Sequence, residues 1–84
     1  MASRVVLLSH ARDDLAGLEQ QDRKRIATAL YALEYFPEQK SGVLKLKPPF
    51  TGFRKRVGNH RIVFDFEDSV VLVRRIINRK DAYR

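Results

Sequence analysis

The chain has 84 residues, 44 % hydrophobic and 32 % charged, with a net charge of +7 and no cysteine. One domain spanning 1–84 is expected, with a small core, because a chain of this size buries only roughly 60–65 % of the surface it exposes when unfolded. Disulfides, thiolate metal sites and cysteine nucleophiles are excluded, and with apolar runs such as VVLL and VVLV far too short to span a bilayer and no secretion signal the sequence reads as cytoplasmic, without a membrane partner.

Arg4 to Leu8 is apolar and β-branched and reads as a strand. Ser9 is positioned to cap a first helix with Asp13 and Asp14 near its positive end, and Ala11, Leu15 and Leu18 form one apolar stripe. Asp22 is expected to cap a second helix carrying Ile26, Leu30 and Leu33 at the same spacing, with Ala29 and Phe36 beside them and Pro37 as the stop. Two such stripes in so small a domain need a sheet to cover them.

After Gly42 the period changes. The stretch VLKLKPPFTG reads as an extended, proline-punctuated approach, ill suited to central pairing. A strand from Phe53 to Val57, a Gly58-Asn59 turn, a strand from His60 to Phe66, a turn at Glu67-Asp68-Ser69 and a strand from Val70 to Ile77 follow. The fold class is therefore α+β, β-α-α-β-β-β: a helical hairpin packed on one face of a mainly antiparallel four-stranded sheet. The place of the first strand in the sheet is not set by the pattern.

Charge is unevenly spread. Residues 1–42 hold six Lys/Arg against six acids and residues 43–84 hold eleven against four, so the whole excess lies in the second half. The asymmetry points to an anionic partner, nucleic acid or an acidic protein, the alternative being charge carried mainly for solubility. Alternation then sorts the strands into faces: Ile62, Phe64 and Phe66 form the floor for the helices, while Arg54, Arg56, Arg61 and one of Arg74 or Arg75 fall on the helix-free side. Like charges on neighbouring strands cost ~0.2–1 kcal/mol per pair. A bound phosphate relieves that cost; pairing with Asp65 and Asp81, or splaying into solvent, is the alternative.

Lys45 to Arg84, KLKPPFTGFRKRVGNHRIVFDFEDSVVLVRRIINRKDAYR, resembles the C-terminal half of RelE-type toxins of the RelE/ParE toxin–antitoxin superfamily. The shared pattern is a Lys-Leu-Lys approach, an aromatic-basic-x-basic-Val-Gly strand and turn, an Arg-aliphatic-aliphatic-aromatic strand, an apolar strand ending in Arg, and a final Arg-Lys-Asp-x-Tyr. The preceding β-α-α half agrees in order and length. The resemblance implies an mRNA endoribonuclease acting on the ribosome at the A site without metal or other cofactor. In that chemistry the 2′-hydroxyl attacks the adjacent phosphate, leaving a 2′,3′-cyclic phosphate and a 5′-hydroxyl. An acidic antitoxin is the implied protein partner, and promoter DNA is met only through the toxin–antitoxin complex.

By this resemblance Arg54, Arg56, Arg61, Arg79 and Tyr83 take the catalytic positions, with Lys45, Lys47, Lys55 and Arg75 as RNA-binding residues; Lys45 and Lys47 read equally well as flanking Leu44 and Leu46 in a partly exposed edge. Guanidinium groups match phosphate oxygens in pairs but stay protonated, so they stabilise charge and do not act as bases. Relatives carry lysine in the strand before the turn and histidine before the C-terminal arginine, where this chain has Arg54, Arg56 and Asn78. Tyr83 is thus the first candidate base, ahead of Lys55 and His60. Alternation turns His60 away from Arg61, which favours a packing role, and His10 reads as a surface or capping residue. Tyr31 and Tyr35, four apart on the second helix, are expected to pack or to meet the antitoxin. Two other readings stay open: a ParE-like inhibitor of DNA gyrase, which is not a nuclease, and a relative that binds RNA or the ribosome without cutting.

Overall fold

The computed structural model describes residues 2–80. Five strands are formed where four are expected: β1 (Arg4–Leu7), β2 (Val43–Lys45), β3 (Phe53–Val57), β4 (His60–Glu67) and β5 (Val70–Asn78). They lie in the order β1-β5-β4-β3-β2. β1 runs parallel to β5, placing Arg4–Leu7 beside Val70–Val73, and the remaining pairs are antiparallel. The added strand is β2, inside the stretch read as an extended approach. Its three residues pair with β3 from Val43↔Lys55 to Lys45↔Phe53 before Pro48 and Pro49, which lack amide hydrogens, end the ladder.

Helices α1 (Ser9–Ala16) and α2 (Gln20–Ala32) join β1 to the rest, and a short 3-10 turn, Leu33–Tyr35, closes α2. Neither expected cap is used. Ser9 is already helical, the N-cap being Leu8, and α2 starts from Glu19, so Asp22 sits inside the first turn. There its charge still favours the positive helix end.

The stripes land as their spacing dictates. Ala11, Ile26, Ala29, Leu30, Leu33 and Phe36 are buried against Ile62, Phe64, Val71, Val73 and Ile76 of the sheet. Phe36 is the hub, with edge-to-face contacts to Phe53, Phe64 and Phe66 at centroid distances of 5.2, 5.3 and 5.1 Å. Such pairs add about 0.5–1.5 kcal/mol beyond their burial. The Asp68-Ser69 turn between β4 and β5 has positive φ at both residues, 51° and 61°, the twist that suits a two-residue hairpin loop.

β5 departs from simple alternation. Its register to β4 shifts between Val63 and Phe64: Val63 pairs with Arg75 but Phe64 with Val73, so Arg74 is an extra residue in a β-bulge. Val71 and Val73 face the core before the bulge, and Ile76 after it. Unbroken alternation along Val70–Asn78 would put Val71, Val73, Arg75 and Ile77 on one face; the bulge puts Ile76 there instead.

Candidate functional site

On the face away from the helices, the sheet and the 46–52 loop enclose a cleft of about 710 Å³. Its cationic walls come from Lys47, Arg54, Arg61 and Arg74; Lys45, paired with Phe53, stands at the rim and also borders a hollow with Phe36 and Phe53 on the helix side. Its apolar walls come from Leu44, Leu46, Phe50, Val63 and Ile77. Strand pairing explains the gathering: Arg54 lies beside Val63 and Arg61 beside Ile77, so cations from β3 and β4 alternate with aliphatic side chains on one surface. Arg54 and Arg61 are half-buried, which places their charge where water screens it less.

Arg74 enters the cleft as part of a latch. Its Nε stands 3.1 Å from Asp65 Oδ2, and its Nη2 donates to the Thr51 carbonyl at 2.6 Å. The loop closes on itself beneath this bond, with the Leu46 amide donating to Gly52 O at 2.9 Å. Gly52, at φ +99°, lies so close to β4 that a Cβ there would stand 2.6 Å from Asp65 Oδ1 and 2.7 Å from the Phe64 carbonyl. The loop is thus seated on the sheet by Arg74 and by the missing side chain of Gly52.

Arg75, expected to bind RNA, is held elsewhere. Its Nε and Nη2 donate to Asp14 Oδ2 and Oδ1 at 2.7 and 3.0 Å, and the Ile76 amide donates to the same carboxylate at 2.9 Å. β1 ends at Leu7, opposite Val73, so the next part of β5 has no strand on that side, and α1 supplies Asp14 to take the Ile76 amide. Burial alone would raise the Asp14 carboxyl. The hydrogen bonds from Arg75 and Ile76, with the Arg75 and His10 charges, outweigh it and hold the group below its ordinary value. In turn the Asp14 hydrogen bond raises the pKa of Arg75.

The remaining expected residues divide by face. Arg56 pairs with Arg61 in register and is exposed, but it does not line the cleft; with Arg25 and Lys55 it borders a hollow between α2 and β3. Lys55 pairs with Ile62 on the helix side, and its Nζ donates to the Ser41 carbonyl at 2.9 Å, so it is turned away from the other cations. Arg79 is exposed, with its amide on the Asn59 carbonyl. Tyr83 and Asp81 lie outside the described residues. His60 is buried on the side opposite Arg61, next to Asp22, Arg25 and Asn78, in keeping with a packing role. Tyr31 and Tyr35 are exposed.

Sequence reasoning put Leu44 and Leu46 on a partly exposed edge but did not single out Phe50. Phe50 is 71 % exposed and Leu44 58 %, and the available signal was their place beside Lys45 and Lys47 in a proline-bounded segment.

A family model described as the ParE toxin of type II toxin-antitoxin systems, parDE, matches residues 5–83. No curated protein sequence matches the chain. Among solved structures, the toxin-antitoxin complex RelBE2 from Mycobacterium tuberculosis aligns with a TM-score of 0.83 at 22 % identity, over 94 % of this chain and 100 % of that one. The RelB-RelE complex from Methanococcus jannaschii aligns at 0.77 and 23 % identity, over 93 % and 94 % of the two chains. A free-state mutant of the E. coli toxin RelE aligns at 0.72 and 20 % identity, over 99 % and 90 %. At these identities the structural likeness speaks for the fold. With a sequence match across nearly its whole length and this fold, the chain belongs to the ParE toxin family of type II toxin–antitoxin systems, within the RelE/ParE superfamily.

Proposed function

We propose that this toxin is an endoribonuclease that cleaves mRNA on the ribosome, at the A site, and so stops translation. The observation that carries the reading is the half-buried Arg54 and Arg61 in one cleft with Lys47, opposite the helices. Phosphodiester transfer by a 2′-hydroxyl needs fixed positive charge where the phosphate gains negative charge, and such groups contribute most when they are already in place. Arg54 and Arg61 would take the non-bridging oxygens. The 2′-oxygen forms its bond to phosphorus as the bond to the 5′-oxygen breaks; a base takes the 2′-proton and an acid protonates the leaving oxygen. Following the resemblance, Tyr83 is assigned the proton from the 2′-hydroxyl and Arg79 the stabilisation of charge beside it.

An acidic antitoxin is the expected protein partner. The net charge of +7 supports it, as do relatives whose structures are toxin-antitoxin complexes. Promoter DNA is reached only through that complex, and the site of action is the cytoplasm. Inhibition of DNA gyrase is the second reading, favoured by the match to a model of ParE toxins.

Primer extension on programmed ribosomes, run beside a gyrase supercoiling assay, separates the two. The expected result is mRNA cleavage that falls at least tenfold in Arg61→Ala and in Tyr83→Phe, with circular dichroism unchanged. Intact mRNA together with inhibited supercoiling would establish the second reading, and full cleavage by an Arg61→Ala, Arg79→Ala double variant would remove the site assignment.

A further inference from the structure

We propose that Phe50 is a stacking platform for one unpaired base of the bound RNA, an inference that rests on the reading of the cationic cleft as an RNA interface. Phe50 is the most exposed large hydrophobic side chain of the described residues, at 71 %, and it stands on the wall of the same cleft as Arg54 and Arg61. Phosphate recognition alone needs no aromatic wall. A lining that joins guanidinium and ammonium groups to an open ring matches a ligand bearing both negative charge and flat apolar faces, which is single-stranded nucleic acid. In duplex RNA the bases are already stacked on one another, so the ring has nothing to receive.

The loop is built to hold the ring in place before binding. Phe50 N–H donates to the Lys47 carbonyl at 3.1 Å, Leu46 N–H to Gly52 O at 2.9 Å, and Arg74 Nη2 to Thr51 O at 2.6 Å. Less ordering is then left to be done at the moment of binding. Arg74 is accordingly a positioning residue: paired with Asp65, it fixes the loop that carries the ring.

The chain contains no tryptophan, so Phe50→Trp introduces a single indole as a reporter while keeping an aromatic face. The full chain, Phe50→Ala, Phe50→Trp and Arg54→Ala are titrated with a labelled single-stranded RNA hexamer and with a blunt RNA duplex, across a series of salt concentrations. Loss of the ring should weaken hexamer binding about tenfold, within the range measured when aromatic platforms are truncated. Phe50→Trp should restore the affinity, with its fluorescence quenched at saturation. Duplex affinity and the salt slope should be the same with and without the ring, whereas Arg54→Ala should flatten the slope by about 0.7 for the hexamer. Equal hexamer affinity in Phe50→Ala, equal losses on hexamer and duplex, or an unquenched indole would each overturn the stacking role while leaving the cleft as an RNA interface. Absence of RNA binding by the unmodified chain would remove both.

Discussion

Phe36 joins α2 to the sheet through three aromatic neighbours and is only 3 % exposed. Replacing it with alanine should cost about 3–5 kcal/mol, read as a shift of the urea midpoint. Asp14 acts at the other side of the sheet. Because its folded pKa lies below its unfolded value, the stability it contributes is present above roughly pH 4 and is lost as pH falls through the depressed native value. Asp14→Asn should therefore weaken the fold at pH 7, and its stability should decline less steeply than the parent's below pH 4. Asparagine keeps an oxygen that can accept the Ile76 amide, so the loss comes from the charge and from the second oxygen that Arg75 uses, and it is modest because Arg75 is half exposed. At Gly52 a side chain would meet a backbone carbonyl that cannot swing aside, in a conformation that disfavours every other residue. Gly52→Ala should lower stability by about 1–3 kcal/mol and shift the thermal midpoint accordingly.

At the scale of elements, what the sequence discloses depends on whether its pattern has one solution. Ile26, Leu30 and Leu33 can face a core together only on a helix, and Ile62 with Phe64 only on a strand, so both were legible. In β5 the doublets Arg74-Arg75 and Ile76-Ile77 satisfy either phase of alternation, which conceals the bulge. The same degeneracy left Arg74 and Arg75 interchangeable as cleft residues, and only the bulge separates the loop latch from the α1 contact. β2 was missed because three residues beside two prolines carry too short a pattern, and its partner strand alone makes it a strand. The caps failed for a related reason: serine and aspartate are preferred at helix starts, but α1 and α2 begin where the chain leaves β1 and turns past Leu18. The latch has its own test. Arg74→Leu should speed hydrogen exchange at the Leu46 amide by tenfold or more, while the Ile62 and Phe64 amides in the centre of the sheet keep their protection.

For the whole molecule, the charge imbalance read from the sequence becomes a difference between faces. Arg75 and Lys55 are engaged with Asp14 and Ser41 away from the cleft that Lys47, Arg54 and Arg61 line, and Lys45 stands at its rim. Neutralising both Lys45 and Lys47 with glutamine should reduce the salt slope of single-strand binding by about 1.4, with unfolding unchanged, since the two are exposed.

The pairing of Arg4–Leu7 with Val70–Val73 has a consequence for biosynthesis. β5 contacts β1, β4 and α1, so β1 waits for a strand more than sixty residues further along the chain before the sheet can close. A nascent chain interrupted before Val70 lacks the central ladder and two fully buried valines, Val71 and Val73, and has no route to a finished core. The sheet is therefore assembled only once Val70–Asn78 has been laid between β1 and β4, and a core short of that strand stays open on its buried face.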